Sequence, residues 1–168
     1  IARAPFMLIA TADGSGRLDI SPKGDAPGFV AVLDEHTLLI PDRPGNQRFD
    51  TLCNLFQSPR IGLIFVIPGK RETLRVSGTA QVIRDPELLA GLAAQGKVPA
   101  LAIAVHVEEA FMHCAKCMIR SKLWQPEAWP SLEGLPSLAE AMKDAAAIPF
   151  PVEAIAGLIA SDETERLY

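Results

Sequence analysis

Apolar residues come in short bursts along this chain, and the spacing inside each burst predicts its element. "PFMLIATA" (5–12) is an almost continuous apolar run of strand length, closed by the turn-forming "DGSG" (13–16). "RLDIS" (17–21) alternates polar and apolar, as a half-buried hairpin partner does. "PKGDAPG" (22–28) reads as a Pro/Gly-rich loop with one lysine at its centre. Two short strands follow, "FVAVLD" (29–34) and "TLLIP" (37–41), separated by a tight "EH" connection. "DRPGNQR" (42–48) is polar and leads into a helix predicted at about 46–57. Phe49, Leu52, Cys53 and Phe56 recur there at three- and four-residue intervals and are its expected buried face, and Pro59 marks its end.

The second half continues in the same style. "RIGLIFVIP" (60–68) is a central strand and "ETLRVSGTAQVIR" (72–84) a long alternating one. Asp85-Pro86 opens a short helix through about Gln95, with Asp at the cap and Pro at the first turn. "PALAIAVHVEEAF" (99–111) returns as a strand. The result is an antiparallel succession of about six strands with helices inserted between hairpins, not a run of βαβ units. A small closed or split barrel is the economical solution, because closure removes unpaired edges. After Trp124 the texture changes. "PSLAEAMKDAAA" (136–147) is an amphipathic helix with Ser137 and Glu140 as a capping box, and a second helix is predicted near 151–160. Residues 1–130 are expected to form the barrel, with 131–168 a helical extension packed on it.

Composition narrows the classes of partner. With 168 residues the chain is the size of one domain, and 49% hydrophobic with 21% charged residues is ordinary for a globular protein. The net charge of −4 gives no general basic field for nucleic acid or an anionic membrane, so any anion site is a local cluster. "IGLIFVI" (61–67) and "ALAIAV" (100–105) are too short to span a bilayer, and no signal-peptide pattern is visible. Three cysteines, an odd count in a domain that needs no disulfide staples, make a reducing cytoplasmic setting the expectation.

Two loops carry the residue types an anion needs, "SPKGD" (21–25) and "PDRPGNQR" (41–48). A phosphate dianion requires several convergent donors, some of them charged, on backbone that can approach closely. Ser21, Lys23, Arg43, Asn46, Gln47 and Arg48 are such donors, and a helix starting near Asn46 would add its positive end. The plain alternative for each is a solvated lysine or a surface ion pair, such as Arg43 with Asp42.

The ordered set "LIATADGSGRLDISPKGD", "LLIPDRPGNQRFDTLCNLFQSPRIGLIF", "ETLRVSGTAQVI" and "HCAKCMIRSKLW" resembles the pyridoxamine 5′-phosphate oxidase-like family of FMN-binding split barrels, from about Pro5 to Trp124. The resemblance implies a mainly β fold with helices (α+β): a six-stranded antiparallel split β-barrel of FMN-binding type. It also implies a homodimer with FMN at the subunit interface. The chemistry it implies is FMN-dependent transfer of hydride or electrons to or from a small organic substrate. The segment Asp19 to Lys23 matches the position where the family puts a basic residue on the flavin phosphate. "DRPGNQR" matches the loop where the family usually shows Ser-Arg-Lys. Here Asn46, Gln47 and Arg48 supply one definite positive charge instead of two, and Arg43 is the candidate for the other. Thr73 and Arg75 match the strand that touches the isoalloxazine ring, and Lys116 is placed against the flavin or the substrate mouth, with Trp124 as a cleft wall. The late Arg/His pair that grips pyridoxal phosphate has no clear counterpart, and no residue is singled out as the catalytic acid or base.

The "HCAKC" of the last motif raises other chemistries. One C-x-x-C with Cys53, His36, His106 and His113 scattered elsewhere is not a tetrahedral zinc set, so no metal is expected. A thioredoxin-like pair wants a βαβ setting that this chain lacks. Cys114, Cys117, Met118 and Ser121 share a helical stripe expected to pack a core, with Lys116 and Arg120 on a neighbouring face. His36 is expected in an exposed turn, and His106 packed or hydrogen-bonded in its strand. A non-catalytic flavin-binding or storage protein remains the alternative function, as does a split barrel using haem or F420, since fold alone does not fix function.

Overall fold

A computed structural model describes residues 1–168. Seven strands form one antiparallel sheet: β1 (Phe6–Ala12), β2 (Leu18–Gly24), β3 (Ala31–Val32), β4 (Thr37–Pro41), β5 (Arg60–Val66), β6 (Thr73–Ile83) and β7 (Ala102–His113). Their order is β2-β1-β5-β6-β7-β4-β3. This is the split-barrel arrangement of an α+β protein, with seven strands against the six implied, and the strand expected at 29–34 is reduced to the two residues of β3 beside β4. The helices are α1 (Asp50–Gln57), α2 (Pro86–Ala90), α3 (Lys116–Ser121), α4 (Leu138–Ala146) and α5 (Val152–Glu165). None is long and apolar enough to cross a membrane.

Alternation along the strands builds the core. Met7 and Ile9 of β1, Ile61, Leu63 and Phe65 of β5, Val76 and Ala80 of β6 and Val105 of β7 turn to one side and are buried there. Leu52 and Leu55 of α1 close over them. Within this apolar layer Asn54 donates from Nδ2 to Thr11 Oγ1 at 3.1 Å, so the buried amide and hydroxyl satisfy each other. A smaller cluster of Leu39, Leu89, Leu92 and Ala102 anchors α2 and the turn after it.

Local signals explain the element ends. Asp13 Oδ1 accepts from the Ser15 and Arg17 amides, closing the β1–β2 turn. The Asp85 side chain accepts from the Glu87 and Leu88 amides at the start of α2. Ser137 and Glu140 form the expected capping box of α4. The β6–β7 ladder slips between Ser77 and Gly78: Ser77 faces Glu109 while Gly78 faces Val107, leaving Glu108 as the extra residue of a bulge. Glu108 then reaches Arg60 at 2.8 Å.

Several expectations need correction. Pro22–Gly24 belongs to β2 and is not loop, because these residues complete the ladder opposite Leu8, Met7 and Phe6. The helix expected from about 46 begins at Asp50, with Phe49 as its cap, so no helix end is presented at Asn46. Asp50 fills the first turn itself. The buried face of α1 is Thr51, Leu52, Asn54 and Leu55, while Phe49, Cys53 and Phe56 are exposed. The three- and four-residue spacing fits two adjacent faces, and the Asn54–Thr11 bond decides which one turns inward. The expected core stripe on α3 is also absent, since Cys114 and Cys117 are exposed and no residue of that helix is buried. Helix α2 stops at Ala90 rather than running to Gln95. His106 is exposed, and its ring lies beside that of His36, 6.0 Å away between centroids.

A candidate anion cleft and an apolar cavity

Two cavities open on the barrel, and β2 contributes to both. Strand alternation sends Ile20 and Lys23 to opposite faces of β2. Ile20 lines an apolar cavity and Lys23 a cationic one.

The cationic cleft, about 460 Å³, is lined by Lys23, the segment from Asp42 to Phe49, the stretch from Lys97 to Ala100, and by Arg166 and Tyr168. It thus gathers Lys23, Arg43, Asn46, Gln47 and Arg48, sequence candidates from two separate segments. The donors are not equivalent. The Arg43 Nε donates to Asp25 Oδ2 at 2.6 Å and its Nη2 to the Leu92 carbonyl at 2.9 Å. That guanidinium is a tie between loops rather than a free cation. Arg48 pairs with Asp50 at 2.7 Å in an exposed position, and its amide donates to Asn46 Oδ1 at 3.0 Å. The latter bond, with Gln47 at φ 58°, folds 46–48 into a tight polar turn. Lys23 and Lys97 make no ion pair with any carboxylate side chain.

Asp25, the last residue of "SPKGD", organises this wall. Its carboxylate also accepts from the Tyr168 hydroxyl at 2.6 Å and from the Ala26 amide at 2.6 Å. Burial alone would raise its pKa. The hydrogen bonds from Tyr168, Ala26 and Arg43, with the Arg43 charge, outweigh burial and hold it below the ordinary value. Asp42 behaves in the opposite way. Half-buried in the cleft, it is raised by desolvation, and the Lys23 charge only partly offsets this.

Asp42 is the only acidic side chain lining the cleft, so it opposes an incoming anion. Asp42→Asn should tighten phosphate-ester binding about tenfold at neutral pH. In the native chain the same repulsion is relieved as pH falls and Asp42 takes up a proton. Titration of wild type and variant with FMN across pH checks both points, because the variant should lose that part of the pH dependence.

The apolar cavity is about 500 Å³. Leu8, Ala10, Gly62, Ile64 and Val66 form its floor, and Cys117 and Met118 of α3 border it. Thr73, Arg75 and Ser77 of β6 line it with Phe111 and His113 of β7. The Arg75 guanidinium lies 5.1 Å from the Phe111 ring centroid, a cation–π arrangement, and no acidic residue lines the cavity. A flat apolar group with a partial negative charge on its rim fits this lining.

Three sequence candidates line neither cavity. Ser21 turns to the Lys23 side of β2, where its hydroxyl reaches only the Pro22 carbonyl at 3.5 Å. Lys116 is exposed on α3. Trp124 donates from Nε1 to the Lys70 carbonyl at 2.8 Å, which pins the segment after α3 and keeps it out of both cavities. Conversely, Lys97, Arg166 and Tyr168 line the cleft without being sequence candidates. For Lys97 the neighbouring Gln-Gly turn is a usable signal; for the other two, far along the chain, there is none. No group of His, Cys, Asp and Glu is arranged to hold a metal ion.

A sequence profile of the pyridoxamine 5′-phosphate oxidase family matches residues 1–114, which span the strands from β1 to β7. The chain belongs to that family. Among solved structures, it is similar to HupZ of Group A Streptococcus, with 25% identity over 64% of this chain and 84% of that one, at a TM-score of 0.53. A histidine-to-alanine variant of the same streptococcal protein shares 23% identity over 67% of this chain and 92% of that one, at a TM-score of 0.54. These likenesses place the split-barrel fold. Comparison with curated proteins found no match.

Proposed function

We propose that this member of the pyridoxamine 5′-phosphate oxidase family binds FMN and is an oxidoreductase acting on a small organic substrate. The observation that carries the proposal is the convergence of Lys23 with Asn46, Gln47 and Arg48 on one cleft. Those positions match the segments where the family meets the flavin phosphate. The fit of the donor set is chemical. Two lysines free of side-chain ion pairs, an arginine and amide donors suit a phosphate dianion, and the apolar cavity suits a planar ring. When bound, FMN would supply hydride or electron transfer at its ring. The protein's own part would be to hold the phosphate at Lys23 and Arg48. Thr73 and Arg75, which line the apolar cavity, are proposed as further cofactor contacts.

Because Ile20 and Lys23 point to opposite faces of β2, the phosphate and ring contacts come together most simply across two copies of the chain. A homodimer with FMN at the interface is therefore part of the proposal. It would also cover Phe49 and Phe56, which are 58% and 78% exposed in the single chain.

Titration of purified protein with FMN and with riboflavin, followed by anaerobic addition of NADH or NADPH, tests the proposal. Tight FMN uptake, weaker riboflavin uptake and reduction of the bound flavin are expected. Uptake without reduction by any donor would leave a flavin store. Failure to take up FMN would overturn the assignment and turn attention to haem or F420.

A further inference from the structure

Lys97 is built into the cleft more deliberately than its sequence neighbourhood suggests. Ala94 and Lys97 exchange two backbone hydrogen bonds, Ala94 N–H to the Lys97 carbonyl at 3.0 Å and Lys97 N–H to the Ala94 carbonyl at 2.9 Å. Between them Gln95 and Gly96 have φ of 49° and 76°, positive at both central positions as a type I′ turn requires. Such a turn is short and stiff. Its base is fixed twice more, by buried Leu92 and Pro99 on either side and by the Arg43 bond to the Leu92 carbonyl. A long, flexible side chain thus leaves from a rigid platform.

The charges around it distinguish Lys97 from its neighbours. Three of the five cations lining the cleft are already paired: Arg43 with Asp25 at 2.6 Å, Arg48 with Asp50 at 2.7 Å and Arg166 with Asp162 at 2.8 Å. Lys23 and Lys97 have no carboxylate side chain as partner. The Lys97 ammonium instead donates to the main-chain oxygen of Tyr168. A phosphate dianion offers an ammonium more oxygens and more charge than that main-chain group does. Tyr168 does not depend on this bond, because its hydroxyl is held by Asp25.

We propose that Lys97 is a second phosphate-binding lysine of the cleft, acting with Lys23 and exchanging the Tyr168 main-chain oxygen for an oxygen of a phosphate monoester. This supplies the positive charge that "DRPGNQR" lacks, a role Arg43 cannot fill while it is tied to Asp25. The inference rests on the assignment of the cleft as the FMN phosphate site, and it adds a residue from an unrelated part of the chain.

Flavin titrations of wild type, Lys97→Ala and Lys97→Arg test it, with FMN and riboflavin as paired probes. Lys97→Ala should weaken FMN binding about tenfold or more while leaving riboflavin binding unchanged, and Lys97→Arg should restore most of the loss. Unchanged FMN affinity in Lys97→Ala, with wild type still preferring FMN to riboflavin, would overturn the role of Lys97 and leave the cleft assignment standing. An equal loss for both flavins would also overturn it, by showing that the side chain only supports the turn. A wild type that binds the two flavins equally would remove the phosphate site and Lys97 with it.

Discussion

Replacing Gly78 with alanine should destabilise the protein by about 3 kcal/mol, lowering Tm by about 6–12 °C. A Cβ at this position would lie 2.0 Å from the His106 carbonyl oxygen and 3.1 Å from the Glu108 amide nitrogen. Both are backbone atoms of β7 in the longest strand pair, so neither can rotate away. The bulge at Glu108 is what brings β7 so close: with one residue more than β6, β7 folds its backbone over the glycine. Gly157→Ala is the matched control. On α5 an added methyl would meet nothing within 4 Å, and there the substitution should be neutral or stabilising by up to about 1 kcal/mol. Thermal unfolding followed by circular dichroism separates the two. Equal Tm values for Gly78→Ala and wild type would mean that β7 does not approach β6 as described. Because the bulge also sets how Phe111 and His113 project into the apolar cavity, a folded Gly78→Ala protein should bind flavin more weakly as well.

Lys23→Ala should weaken FMN binding about tenfold to a hundredfold, the loss of one charged hydrogen bond to phosphate. Part of that loss comes through Asp42, whose charge Lys23 partly offsets in the native cleft. Arg48→Ala should lose at least as much, since it removes one cation and also uncovers Asp50 beside the cleft. Isothermal titration with FMN at two salt concentrations checks both. The native protein should show the steeper salt dependence, as expected when fewer charges meet the phosphate in the variants. If neither substitution changes FMN affinity, the phosphate lies elsewhere.

The fold is legible in the sequence wherever burial is one-sided. Strands β1, β4, β5 and β6 follow from their apolar runs, and the caps at Asp85 and Ser137 from side chains that satisfy amides within three residues. Orientation is what spacing leaves open. Phe49, Cys53 and Phe56 have good helical spacing, yet α1 turns Asn54 inward because Thr11, more than forty residues away, offers it a partner. The α3 stripe fails in the same way: spacing says which residues share a face, not whether anything covers that face. In the cleft, Lys23 and Arg48 stand out because charge and glycine cluster around them. Asp25 and Tyr168 do not, because the bond between them joins segments 143 positions apart. Arg43 shows the converse. Its residue type suggests a phosphate ligand, and only the Asp25 and Leu92 bonds reveal a loop tie.

Pro22 has a consequence beyond the ligand site. Strand β2 is at one end of the sheet order, paired with β1 on one side only. A proline is accommodated in such a position by turning its missing N–H toward the open side. The outer margin of β2 therefore lacks a donor at mid-strand, close to a lysine, while Leu18 and Ile20 along it are 73% and 65% exposed. An extended segment from another molecule could begin to zip onto this margin but would meet a broken ladder at Pro22. A proline at this edge therefore works against the strand-by-strand addition of further chains.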